Sequence, residues 1–159
     1  MAAGKSTIGQ SLAQKLQYDF LDTDLAIEKL TGESISELFK NRGEATFRQE
    51  EQKLLSLAMT LDKIIIATGG GMPVFNGNLQ KMLLTGTTIF LETDLDILSS
   101  RLRQADNRPL HQGYKKLDLN ITKRYAERLP YYREAHLTIV NNGTADESVQ
   151  LILQKLNLK

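Results

Sequence analysis

The chain contains no cysteine, which excludes disulfides and thiolate metal sites and suits a reducing cytoplasm. Its two histidines, His111 and His136, stand apart and are too few for a zinc site. No apolar run approaches the ~20 residues that a membrane-spanning helix needs. Met1–Thr7 is not followed by the hydrophobic stretch that a secretory leader carries. An excess of one charge is also missing, since 20 basic and 19 acidic residues leave a net charge of +1. Binding to a phosphate backbone needs a dense basic face, so no nucleic-acid partner is expected and any attraction for anions must be local. Internal repeats and low-complexity segments are lacking. What remains is an ordinary globular composition, 41% hydrophobic and 25% charged over 159 residues, which predicts one compact domain spanning residues 1–159.

Strand-like and helix-like stretches alternate. Ile8, Leu12, Ala13 and Leu16 recur at helical spacing and predict an amphipathic helix from Ser6 to about Gln17. A short strand follows at Asp19–Asp22. Two or three helices fill Asp24–Leu61, broken near Thr31–Ser34, where Ser34 is a candidate cap. Lys63–Thr68 is a β-branched run of the kind buried on both faces of a sheet. Further strands are expected at Thr87–Glu92 and Leu137–Val140, and further helices at Leu79–Leu84, Asp94–Arg103, before Ala135 and at Ala145–Leu156. The polar stretch from Gln104 to about Asp118 lacks periodicity and reads as a long loop or flap. This alternation implies a parallel sheet flanked by helices, an α/β fold.

Gly4-Lys5-Ser6-Thr7 opens the first helix and matches the second half of the phosphate loop G-x-x-x-x-G-K-[ST]. Backbone N–H groups and the helix dipole at such a start attract phosphate. Lys5 would reach the β- and γ-phosphates, the Ser6 hydroxyl would ligate magnesium, and the small Ala2 and Ala3 would let the backbone approach an anion. By itself the tetrapeptide is equally a helix start with an exposed lysine. The motif's first glycine falls two places before Met1, and a strand feeding the loop would lie earlier still. The expectation is a natural polypeptide beginning about ten or more residues upstream, given strands of ~5–6 residues. The alternative is that the sequence is an incomplete chain.

Four other clusters follow. Asp22-Thr-Asp24 ends a strand, where open α/β sheets bind ligands; Asp24 also suits the cap of the next helix. In Leu38–Glu50, Glu44 and Arg48 are spaced to pair across one helical turn. Gly69-Gly70-Gly71 after a strand marks a tight turn and also bares backbone N–H groups. Asn107-Arg108-Pro-Leu110 and Glu127-Arg128-Leu-Pro-Tyr-Tyr-Arg133 would each read alone as solvated surface.

In this order and at these spacings, the clusters resemble the shikimate kinase family over nearly the entire chain. That family's hallmarks are the G-K-[ST] loop, an Asp-x-Asp pair, a G-E-x-x-F-R box, a G-G-G turn, an R-P-L lid and an R-x-P-x-Y box. The resemblance implies a P-loop kinase three-layer sandwich with a central parallel sheet, like nucleoside monophosphate kinases, with the first strand missing from this sequence. It also implies ATP-dependent phosphorylation of the 3-hydroxyl of shikimate, a step of chorismate and aromatic amino-acid biosynthesis. An acceptor-binding helical region would span about 24–61 and a lid about 104–118. Asp24 would contact the acceptor and orient its attacking hydroxyl or act as its base. Arg48 and Arg128 would grip the carboxylate, and Gly70 would offer its N–H. Guanidinium suits the grip because its planar fork binds carboxylate bidentately. Glu44 would position Arg48, and Phe47 would shape an apolar wall.

On the nucleotide side, the resemblance implies that Ala2, Ala3, Gly4, Lys5, Ser6 and Thr7 wrap the phosphates of ATP. Mg²⁺ would sit on Ser6 and, through water, on Asp22. Arg108 would close over the transferring phosphate, and Lys5, Asp24 and Arg108 would form the catalytic set. Arg101 or its neighbour Arg103 would lie against adenine, near the backbone around Ala145. The family further implies a cytoplasmic monomer acting on small molecules, with neither nucleic acid nor membrane as a partner.

Three departures stand out. Ala2 replaces a common glycine, which is tolerable at negative φ and strained otherwise. His111 takes the place of a frequent leucine after Arg108-Pro-Leu110. Asn141–Asp146 lacks a proline that some members carry against adenine. Two rivals remain open on sequence: another small-molecule P-loop kinase, such as a gluconate kinase, and a nucleotide-binding regulatory protein without catalysis.

Overall fold

A computed structural model describes residues 2–105 and 113–158. Its elements are α1 (Lys5–Leu16), β1 (Asp19–Asp22), α2 (Thr23–Thr31), α3 (Ile35–Ala58), β2 (Ile64–Ala67), a 3₁₀ turn (Met72–Val74), α4 (Asn78–Thr85), β3 (Ile89–Glu92), α5 (Leu95–Ala105), α6 (Gly113–Tyr132), β4 (Leu137–Val140) and α7 (Ala145–Lys155). Both strand pairings are parallel, β1 with β2 and β3 with β4, each pair forming a two-stranded sheet. The chain divides into two compact units, residues 5–87 and residues 1–4 with 88–159.

In the 5–87 unit, Asp19 pairs with Ile64 and Asp22 with Ala67, while α1 packs on both strands. The helical spacing of Ile8, Leu12 and Ala13 places them together on the buried face of α1. A second cluster joins Ile27 of α2 to Leu38 and Phe47 of α3. Ser34 caps α3 as its sequence implies, with Glu37 completing a capping box. The helix kinks at Gly43, whose φ of 79° is non-helical, so Glu44 to Ala58 is aimed separately from the first turns.

The cap of α2 differs from the sequence reading. Asp22, still extended at φ −96° and ψ 118°, accepts from the N–H groups of Asp24 and Leu25. Asp24 therefore lies inside the first turn and is not the cap. The β2 run also differs: Ile64, Ile65 and Ile66 are only half-buried, and Ala67 alone is buried. Among the described residues β2 pairs with β1 alone.

In the other unit, Ile89 pairs with Leu137 and Glu92 with Val140. α7 packs on β4, and α5 on α6. Phe90, Leu98, Ile121, Ile139, Val149 and Ile152 are buried there. Thr144 and Glu147 form the capping box of α7. Part of the loop expected over Gln104–Asp118 is helical, because α5 runs to Ala105 and α6 starts at Gly113. Over residues 113–118 only Tyr114 and Leu117 are apolar, which is too sparse a stripe to announce a helix.

Candidate active site

The phosphate-loop sequence leads directly into α1. Ala2 and Gly4 have φ of 53° and 75°, which curl the chain before Lys5 begins the helix. The first N–H groups of an α-helix have no intrahelical acceptor, so they and the dipole form an anion-seeking end. The Ser6 hydroxyl donates to Oδ2 of Asp22, while Oδ1 of the same carboxylate caps α2. Serine and aspartate thus present hard oxygen donors side by side. That donor set fits Mg²⁺, which takes a few protein oxygens and fills its remaining positions with water and phosphate.

In the first turn of α2, Asp24 faces the glycine turn that follows β2. A Cβ on Gly69 would lie 2.5 Å from Asp24 Oδ1 and 3.1 Å from Glu51 Oε1, so a larger residue here would push against both carboxylates. The turn is anchored by Gly69 N–H, which donates to the buried Thr23 hydroxyl at 2.9 Å. Burial holds the Asp24 carboxyl above its ordinary 3.8; the Asp22 charge adds to the rise, and Lys5 partly offsets it. Lys5 and Asp24 are therefore near enough to interact.

Arg48 is fixed from both directions along α3. Glu44 Oε1 accepts from its Nε at 3.1 Å and its Nη2 at 2.8 Å, as the one-turn spacing implies. Glu51 Oε2 accepts from Nη1 at 2.6 Å. Glu51 is 1% exposed and the Arg48 side chain 12% exposed, so this is a buried ion pair. A Cβ on Gly71 would lie 2.6 Å from Arg48 Nη1, which places the guanidinium against the glycine turn. Gly70 lies between these two contact points.

In the other unit, the Asn141 amide donates to the Ala3 carbonyl at 2.6 Å and to Thr93 Oγ1 at 3.0 Å. Arg101 Nη2 donates to the Gly143 carbonyl at 3.1 Å, two residues before Ala145 at the start of α7. Arg103 is exposed. Arg128, on α6, hydrogen-bonds Tyr132; burial raises the Tyr132 phenol, and the Arg128 charge and hydrogen bond oppose that rise. Tyr132 also packs on Phe90, ring centroids 5.3 Å apart. Arg108 and His111 lie outside the described residues.

Of the residues singled out in sequence, Lys5, Ser6, Asp22, Asp24, Arg48 and Gly70 belong to the 5–87 unit, with Thr7 on the exposed start of α1. Ala2, Ala3, Gly4, Arg101, Ala145 and Arg128 belong to the other unit.

The sequence profile of the family described as "Shikimate kinase" matches residues 1–157. The chain belongs to the shikimate kinase family. A shikimate kinase of Bacteroides fragilis is 39% identical over 166 residues, covering 99% of this chain and 93% of the relative. The crystal structure of shikimate kinase from Bacteroides thetaiotaomicron superposes with a TM-score of 0.92 at 36% identity, covering 99% of this chain and 94% of that one. A shikimate kinase from Acinetobacter baumannii, in complex with shikimate, superposes at 0.88 with 34% identity, covering 99% and 88%. These superpositions extend the α/β P-loop kinase fold of the shikimate kinases to this chain.

Sequence reasoning missed four residues around the site. Glu51 could have been found, because it lies three residues after Arg48 on the same helix face. Thr23, Phe75 and Asn141 carry no local signal, since their partners lie 46, 27 and 138 positions away.

Proposed function

We propose that this chain transfers the γ-phosphoryl group of ATP to the 3-hydroxyl of shikimate, giving shikimate 3-phosphate and ADP. One observation carries the reading: within a single unit, Asp24 and the Arg48–Glu51 pair both abut the Gly69–Gly71 turn, and Asp24 also senses Lys5. A carboxylate beside a phosphate-loop lysine, with a fixed guanidinium sharing the same turn, suits an acceptor bearing a hydroxyl at one end and a carboxylate at the other. A gluconate-type kinase gives no comparable reason for so tightly held a guanidinium. The shikimate seen with the Acinetobacter baumannii relative supports the choice of acceptor.

Each residue acts by position and charge. Phosphoryl transfer passes through a loose transition state in which alignment and neutralisation dominate. Asp24 orients the acceptor hydroxyl and takes its proton late, helped by a carboxyl whose proton affinity burial has raised. Arg48 and Arg128 bind the carboxylate, and Gly70 supplies a backbone N–H. Ala2 to Thr7 hold the phosphates, with Lys5 on the β- and γ-groups. Ser6, and Asp22 through water, would hold Mg²⁺, which would supply charge neutralisation at the phosphate oxygens. Arg101 and the backbone near Ala145 flank the adenine, and Arg108 covers the transferring group. The reading treats residues 1–159 as one kinase domain and makes the protein a cytoplasmic monomer. Among the described residues no helix is long and apolar enough to cross a membrane.

A coupled assay of ADP release tests the proposal with shikimate, with gluconate and with neither. ADP release that depends on shikimate is expected. Release with gluconate alone, or nucleotide binding without shikimate-dependent turnover, would sink it.

A further inference from the structure

We propose that Phe75 is a positioning residue for the acceptor carboxylate, acting through the face of the Arg48 guanidinium; the inference rests on the kinase reading above. Three phenylalanine rings surround Arg48 Cζ: Phe75 at 4.1 Å, Phe47 at 5.0 Å and Phe39 at 6.0 Å from the ring centroids. The negative face of an aromatic ring attracts a cation within about 6 Å, and a planar guanidinium stacks well on it.

The three rings are not equivalent. Phe39 and Phe47 pack on each other, centroids 4.8 Å apart. Both lie on α3, the helix that carries Arg48, and Phe47 is buried against Ile27 and Leu38. Phe75 comes from a different element, just past the 3₁₀ turn that continues the glycine turn. It is 36% exposed, too open to be read as core, yet its ring is the one nearest the cation.

That arrangement gives Phe75 a task the carboxylates cannot perform. Glu44 and Glu51 tie the guanidinium to its own helix. Phe75, with Gly71 beside Nη1, ties it to the turn that carries Gly70. The spacing between the Arg48 fork and the Gly70 N–H is thereby set from both sides. A guanidinium has five N–H donors. Among the described residues, the three bonds to Glu44 and Glu51 use Nε, one N–H of Nη1 and one of Nη2. One N–H on each terminal nitrogen is left for a carboxylate. The ring covers one face of the ion and keeps water from that side, which strengthens the edge-on hydrogen bonds.

Steady-state kinetics on Phe75→Leu and Phe75→Tyr, with thermal melting of each, test this. Leucine keeps apolar bulk but has no ring face. It should raise the KM for shikimate about three- to tenfold while kcat, the KM for ATP and the melting midpoint stay near those of the unaltered protein. Tyrosine should restore the shikimate KM to within about twofold. An unchanged shikimate KM in Phe75→Leu, a parallel rise in both KM values, or no recovery in Phe75→Tyr would overturn the role of Phe75 while leaving the kinase reading intact. Failure of the unaltered protein to phosphorylate shikimate would instead remove the reading, and Phe75's role with it.

Discussion

The side-chain amide of Asn141 donates to the main-chain carbonyl of Ala3 at 2.6 Å, joining the segment after β4 to the residues that curl before α1. Asn141 is 1% exposed and fully engaged: it also donates to Thr93 Oγ1 and accepts from Ser148 Oγ at 2.9 Å. Next to it, Asn142 exchanges hydrogen bonds with Asp94. A phosphate loop works only if its N–H groups are already aimed, because reorganising them on binding costs affinity. If residues 2–7 hold phosphate as proposed, Asn141 would supply that aim from the same turn that presents Gly143 to Arg101.

Asn141→Ala should therefore raise the KM for ATP about tenfold and leave the KM for shikimate within about twofold, in line with the loss of a buried hydrogen bond. Thr93 and Ser148 would lose a buried partner, so stability should fall by about 2 kcal/mol, read as a lower denaturant midpoint. Equal rises in both KM values would remove the specific link to the loop.

The loop itself carries a strain that can be relieved. Ala2 has φ 53°, the left-handed region where a Cβ is unfavourable by about 1–2 kcal/mol. The sequence left two outcomes for this alanine, and the structure takes the strained one. Ala2→Gly should lower the KM for ATP a few-fold, offset in part by the greater freedom of glycine before binding. A higher KM would show that the alanine conformation is not a burden.

Legibility in the sequence followed the range of each interaction. Short apolar and β-branched runs located the strands to within about two residues, because such runs are local patterns. The pairing of Glu44 with Arg48 was equally legible, being one helical turn. What escaped was long-range or depended on partners. Asp22 and Asp24 are both chemically fit to cap α2, and only the extended backbone of Asp22 decides between them. The half-burial of Ile64–Ile66 could not be read from a run of isoleucines, since side-chain type does not record what packs against a strand. Glycines 69 and 71 were legible as a turn, but their clearance of Asp24 and Arg48 is visible only in three dimensions.

In the proposed role of Arg48, its buried pair with Glu51 separates stability from substrate grip. Glu51→Ala would leave Arg48, 12% exposed, without its inner partner, and losing one member of a buried pair costs about 3 kcal/mol. Glu51→Gln keeps the shape and an acceptor oxygen but not the charge. It should fold, and its shikimate KM should rise about tenfold with the KM for ATP unchanged. A glutamine variant with unaltered shikimate binding would show that the charge of Glu51 only fills space.

Asp24 gives a prediction in which function and stability oppose each other. Burial raises its carboxyl above 3.8, with Asp22 adding to the effect, so the folded state binds this proton more tightly than the unfolded state. Below 3.8 both states are protonated and the group contributes no difference. As pH rises through the folded value, the unfolded chain gains a well-solvated carboxylate while the folded one must hold a partly buried charge, and stability falls. At neutral pH the Asp24 charge is thus a net cost, reduced by its partial contact with solvent. Asp24→Asn should melt about 1–2 °C higher than the unaltered protein at pH 7, and the gap should close as the pH is lowered toward 3.8. In the same variant, kcat should fall about a hundredfold or more with little change in the KM for ATP. The acid limb of the kcat profile of the unaltered enzyme should lie above the range of an ordinary aspartate. Full activity in Asp24→Asn, or a variant that melts lower at pH 7 and higher at low pH, would show that this carboxylate neither serves the acceptor hydroxyl nor carries a burial penalty.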